Sequence, residues 1–279
     1  MVIIKQEMMS YIYNKVGSKL RVLLPLCLFL LLSLSARAQV GEYRNDLAIG
    51  VNGGYLMNRI SFQPDIPQSI MGGLTGGLSI RYTCEKYFSS ICAIAAEINY
   101  SQMGWKEQIL DLDNQPVINQ DTGVAEEYSR RITYIQVPLL ARLGWGRERK
   151  GFQAFVQIGP QLGFYLNEST NCNFDIDHPN TSDRASKFSG PSIGGTVYSD
   201  MYHKPVEKKF DYGITGGAGL EFSHPKIGHI LMEARYYFGL GNIYGNSKQD
   251  YFGKSNHGTI IIKMSYLFDI IKTKNDKIK

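Results

Sequence analysis

Residues 230–241 read ILMEARYYFGLG, and their alternation decides the fold. Ile230, Met232, Ala234, Tyr236, Phe238 and Leu240 form an apolar row; Leu231, Glu233, Arg235, Tyr237, Gly239 and Gly241 interleave with it. Period two is the signature of a strand with two unlike faces. A soluble sheet turns such an apolar row toward a protein core, whereas a membrane barrel turns it to lipid and aims the charged row into its own lumen.

The same pattern recurs in seven more segments, 47–57, 73–83, 94–101, 131–145, 152–164, 209–222 and 259–268. Pro138 lacks a ladder donor and weakens the fourth of them, 131–145. Three connections are tight: EKYFSS (85–90), GRERKG (146–151) and HPKIG (224–228). The others, 61–72, 108–128, 167–207 and 243–257, are long. Alternating short and long connections predict an all-β fold, an eight-stranded antiparallel up-and-down transmembrane β-barrel with short periplasmic turns and longer extracellular loops.

The N-terminus agrees with export. Lys19 and Arg21 precede the apolar run VLLPLCLFLLLSLS (22–35), and Ala36-Arg37-Ala38 follows, which is the order of a signal peptide and its cleavage site. The run is short of the ~20 residues that a spanning helix needs. Met8 and Met9 are alternative starts. The expected organisation is a cleaved signal peptide at 1–38, a short segment at 39–45, a barrel at 46–270 and a tail at 271–279. Gln39 rather than a cysteine follows the cleavage site, so a lipid acceptor is missing. Removing the leader takes the net charge from +5 to about +1, with 25 basic against 24 acidic residues, and no basic patch remains to attract nucleic acid. Cys84, Cys92 and Cys172 survive in the mature chain. Cys84 and Cys92 flank a tight turn, a spacing open to a disulfide but read in preference as two separate small-residue positions.

Charges on the interleaved rows nearly cancel: Arg81, Arg142, Arg235 and Lys263 against Glu97, Asp211, Glu221 and Glu233. Eight strands enclose an interior that side chains fill, and enclosed ions need partners, so the rows predict a packed polar plug rather than a channel. Glycines on these rows, Gly50, Gly77 and Gly217 among them, are expected to leave room for the long side chains. Aromatics gather at the two ends of the apolar rows. Tyr82, Trp145, Phe152, Phe222 and Phe268 fall beside the tight turns, and Tyr55, Tyr100, Phe164, Phe210 and Phe238 toward the long loops, as two interfacial girdles should.

In AEINYSQMGW (96–105), YIQVPLL (134–140), IGPQLGF (158–164), DYGITGGAGLEF (211–222) and EARYYFGLGN (233–242) the chain resembles the PorT-like outer-membrane β-barrel family of the Bacteroidetes, over essentially all of the mature sequence. The resemblance implies a small outer-membrane barrel and makes Pro138 an expected feature. It further implies kinship with accessory parts of a protein secretion and gliding machinery for some members, and it carries over no catalytic residue. The long connection at 167–207 departs from the family pattern.

Chemistry has few footholds. His257 with Ser255 and Thr259 is the one serine and histidine grouping at the outer rim, the arrangement that lipid-A-modifying barrels use, and its bland counterpart is a set of solvated loop residues. His224 and His229 sit by a tight turn on the wrong side, and His178 and His203 lie in the long connection. Cys172, Asp175, Asp177 and His178 crowd together without a metal spacing, and DLDNQP (111–116) starts like a calcium loop but lacks its glycine. The expectation is therefore a non-catalytic scaffold with no cofactor and no metal. Its expected partners are outer-membrane lipid and lipopolysaccharide, with a protein or surface partner at 167–207. A lipid-modifying enzyme is the alternative.

Overall fold

The computed structural model describes residues 42–272 apart from 64, 88, 112, 120–121, 148–149, 176–201 and 246–251; the expected leader lies outside the described residues. The strands are β1 (Glu42–Gln63), β2 (Gln68–Ser69), β3 (Met71–Tyr87), β4 (Ser90–Gln108), β5 (Glu127–Gly146), β6 (Gly151–Cys172), β7 (Phe210–His224), β8 (Gly228–Gly239) and β9 (Lys254–Ile271). β1 starts at Glu42, so part of the segment 39–45 already belongs to the barrel. β2 only pairs with the outer end of β4. The eight long strands pair antiparallel with their chain neighbours, β4 with β5 included, and β1 pairs with β9 from Leu47↔Ile271 to Gln63↔Lys254 to close the ring.

The two rows of 230–241 part as a membrane barrel requires. Met232 and Tyr236 are 58% and 50% exposed on the outside, while Glu233 and Arg235 are 4% and 5% exposed inside. Among the outward aromatics, Phe152 pairs with Phe222 at the tight-turn end and Phe164 with Phe210 toward the loops, ring centroids 5.1 and 5.4 Å apart. Twelve residues separate the two pairs along β6. At ~3.3 Å per residue and a tilt near 40°, that spacing is about 30 Å of height, the thickness of a hydrocarbon core. By the outer-membrane rule the tight turns face the periplasm.

Local chemistry sets the details. In the GRERKG turn Gly146 and Gly151 hold φ of 132° and 121°, a region that favours glycine. The lumen-row glycines make the expected room, since a Cβ on Gly217 would lie 2.9 Å from Arg235 Cγ and one on Gly77 2.7 Å from Asn99 Oδ1, and they clear the neighbouring backbone as well. A Cβ on Gly50 would lie 1.8 Å from the Tyr266 carbonyl oxygen, and one on Gly217 would lie 2.2 Å from that of Ala234. These glycines let neighbouring backbones approach where the strands coil. Pro138 is accommodated by a lapse: the β4–β5 ladder skips between Ala96↔Leu139 and Asn99↔Gln136, where its missing N–H would fall.

Candidate functional site

The lumen is filled in storeys. At mid-height Arg235 meets Glu97 and Glu233, both at 2.6 Å, and Lys263 meets the same two carboxylates at 2.5 and 3.3 Å. Each cation touches each anion, so the four charges form a closed neutral ring. Asn99 donates to Glu97 at 2.9 Å, Asn52 donates to Asn99 and Ser79, and Gln157 donates to Glu233. β3, β4, β6, β8, β9 and β1 are thereby tied across the interior, which offsets the several kcal/mol per ion that burial costs.

Below it, Glu221 collects three cations. Arg81 reaches both its oxygens at 2.8 Å, Arg142 joins at Oε2, and His229 Nδ1 lies 2.6 Å from Oε1. His229 lies beside the tight turn as expected, its ring pointing inward from β8, and its Nε2 is 2.9 Å from Asp269, which also pairs with Lys272 at 2.8 Å. Ser223, His229 and Asp269 stand in the order of a nucleophile, a base and an orienting acid, with Ser223 Oγ 2.8 Å from His229 Nδ1. The carboxylate of Glu221 on that same nitrogen decides otherwise. Both ring nitrogens face carboxylates and both must donate, so the imidazolium has no lone pair left for the serine's proton. Ser223 instead donates to Glu221 at 3.1 Å.

Toward the loops, Tyr237 donates to Asp211 at 2.7 Å, and the buried His257 lies 3.4 Å from the Tyr134 hydroxyl. The expected grouping of His257, Ser255 and Thr259 is thus not on a solvated rim. Ser255 Oγ accepts the backbone N–H groups of Ile243 and Tyr244 at 3.1 and 3.2 Å, and Thr259 donates to Asn58 at 3.1 Å. His224 accepts the Lys226 N–H at an exposed turn and His203 is exposed. His178 and Asp177 lie outside the described residues, and Cys172 donates to the Phe174 carbonyl. Asp111 folds DLDNQP into a side-chain-capped turn, accepting from Asp113 and Gln115 at 2.9 and 2.8 Å. Cys84 and Cys92 are free thiols, Cys84 beside a register shift between Thr83 and Glu85.

The outer mouth holds an aromatic core that the sequence reading did not foresee. Phe62 packs on Trp105 and Phe252 at 5.2 and 4.7 Å, Tyr128 on Tyr202 at 4.6 Å, and Tyr244 on Phe252 at 5.4 Å. Tyr202, Tyr244 and Phe252 come from the connections, folded back over the strand ends. Arg130, only 3% exposed, fastens them. It donates to the carbonyls of Tyr202, at 2.7 Å, and Lys204, and to the Tyr244 hydroxyl at 3.0 Å, while standing 5.7 Å over the Trp105 ring. Burial holds the Tyr244 phenol above its usual pKa, so it stays protonated.

Comparison with known proteins yields one family. Residues 37–245 match the family described as outer membrane protein beta-barrel domain. Among solved structures, Ail, the attachment invasion locus protein of Yersinia pestis, is 11% identical over 81% of this chain and 99% of its own, with a TM-score of 0.31. OprG from Pseudomonas aeruginosa is 12% identical over 82% and 98%, TM-score 0.37, and the outer membrane enzyme PagL is 10% identical over 77% and 98%, TM-score 0.34. No curated protein matches the chain in sequence.

Proposed function

The chain belongs to the outer membrane protein beta-barrel domain family, and from that premise we propose that it is a non-catalytic scaffold that holds its extracellular segments rigid for a partner at the cell surface. The observation that carries this reading is the aromatic core of the outer mouth. Arg130 and its ring of aromatics tie segments around Tyr202 and Tyr244 to the strand ends, which supports a preorganised surface there. A mid-lumen ring of compensated charges supports the same view, because it leaves the interior a structural part rather than a passage.

The motifs resembling the PorT-like family favour a role beside protein secretion or surface assembly. The lipid-modifying alternative needs a free serine and histidine near the outer interface, and Ser255 and His257 are engaged in the core. Two measurements test the reading together. Deleting the gene should leave the lipid A mass spectrum unchanged. A photo-crosslinking residue at Ile118 or Val124, both exposed in the connection after β4, should give a discrete protein adduct on intact cells that one at outward-facing Leu74 does not. Altered lipid A acylation in the deletion strain would overturn the scaffold reading in favour of the enzyme.

A further inference from the structure

Below the Glu221 cluster the tight-turn mouth encloses a cavity of about 330 Å³, lined by Arg81, Arg142, Glu221, His229, Asp269 and Lys272 among others. That volume is at the lower end of small-ligand sites. Rim residues His224 and Pro225, from the β7–β8 turn, also line it, so it faces the periplasm. With Asp46 the lining carries three carboxylates against four cations, because His229 must be doubly protonated between Glu221 and Asp269. One positive charge is left uncompensated among these groups.

Spare donors accompany the spare charge. A guanidinium has five N–H donors. Among the described residues Arg81 and Arg142 direct their hydrogen bonds to Glu221, Arg81 through Nη1 and Arg142 through Nη2. Arg81 is 7% exposed, and its Nε is buried with no partner among the described residues. An orphan buried donor costs about 1–3 kcal/mol unless something accepts from it. Arg142 is held flat by the Phe155 ring, 3.6 Å below its Cζ, which fixes the direction of its free edge. Lys272 reaches in from the end of β9, pairing only on the Asp269 side of the cavity.

We propose that this periplasmic mouth binds a phosphate-sized oxyanion, held by the free edges of Arg81 and Arg142 with Lys272 at the rim. Each planar guanidinium edge can donate two parallel N–H bonds to two oxygens of a tetrahedral phosphoryl group, which a lysine cannot do. The phosphoryl group is either free phosphate or the headgroup of an inner-leaflet lipid.

The test uses the folded mature protein, its fold checked by heat-dependent gel mobility, in phosphate-free detergent. Inorganic phosphate is titrated and followed by phosphorus NMR. Wild type should bind saturably. Arg81→Lys keeps the charge on Glu221 but removes the spare edge and should weaken binding at least tenfold, Lys272→Gln about threefold, and Lys226→Gln, at the turn outside the cavity, not at all. Repeating the titration in nanodiscs with and without phosphatidate separates the sources: competition assigns the site to a lipid headgroup, and its absence to free phosphate. No saturable binding to the folded wild type, or equal binding to Arg81→Lys, overturns the proposal.

Discussion

Glu233 and Ala234 are neighbours in the chain and face different media. Ala234 is on the outward row, and Glu233 is locked to Arg235 and Lys263 in the lumen. Ala234→Arg should therefore lower barrel stability in refolding by roughly 2–4 kcal/mol, the cost of a charge on the lipid face near the midplane. Glu233→Gln with Arg235→Gln removes one charge of each sign and should cost less than Ala234→Arg, whereas Arg235→Gln alone should cost about 3–5 kcal/mol by leaving Glu97 and Glu233 with one cation between them. Chemical denaturation of each variant in vesicles checks the ranking. At this scale most of the lumen was legible, since every charge expected inside is inside. His229 reads from the sequence only as a residue beside a tight turn at the end opposite the outer rim, which leaves its part in the lumen unassigned. Its position two residues before Leu231 nonetheless put it on the lumen row, and Asp269 on the adjacent strand β9, two residues beyond its register partner Leu267, gave it a reason to stay.

The strands divide by chemistry along their length. On β1 the inward row runs Ala48, Gly50, Asn52, Gly54 and then Leu56, Asn58, Ile60 and Phe62; on β4 it closes with Met103, Trp105 and Glu107, and on β5 it opens with Tyr128, Arg130 and Ile132. Alternation alone locates the strands but ends them too early, because the inward row keeps its phase while most of its residues become apolar. The apolar stretch belongs to a core outside the membrane band, completed by residues from connections that carry no periodicity of their own. Arg130 is the joint between the two. Arg130→Met keeps the bulk but strands the carbonyls of Tyr202 and Lys204, at about 1–3 kcal/mol for each buried acceptor left unpaired. Hydrogen exchange should then accelerate in 202–209 and 243–245 while β7 and β8 within the membrane band stay protected. Uniform acceleration through all strands would mean that the outer core and the barrel unfold as one unit.

As a whole the molecule is a closed ring with different ends: tight turns over a charged cavity on one side, and folded connections over an aromatic core on the other. The orientation is open to direct labelling in a variant lacking Cys84, Cys92 and Cys172. Val124→Cys should react with a membrane-impermeant maleimide on intact cells and Lys226→Cys only after lysis, and the opposite result would invert the topology. On the scaffold reading the interior is structure and the ends are the working surfaces. Each cation of the mid-lumen ring touches each anion, and the outer mouth is packed with Phe62, Trp105, Tyr128 and Phe252. Single-channel recording of the folded protein in a planar bilayer at neutral pH should show no steady conductance, whereas reproducible open-channel currents from protein of verified heat-dependent mobility would mean that the lumen is a passage.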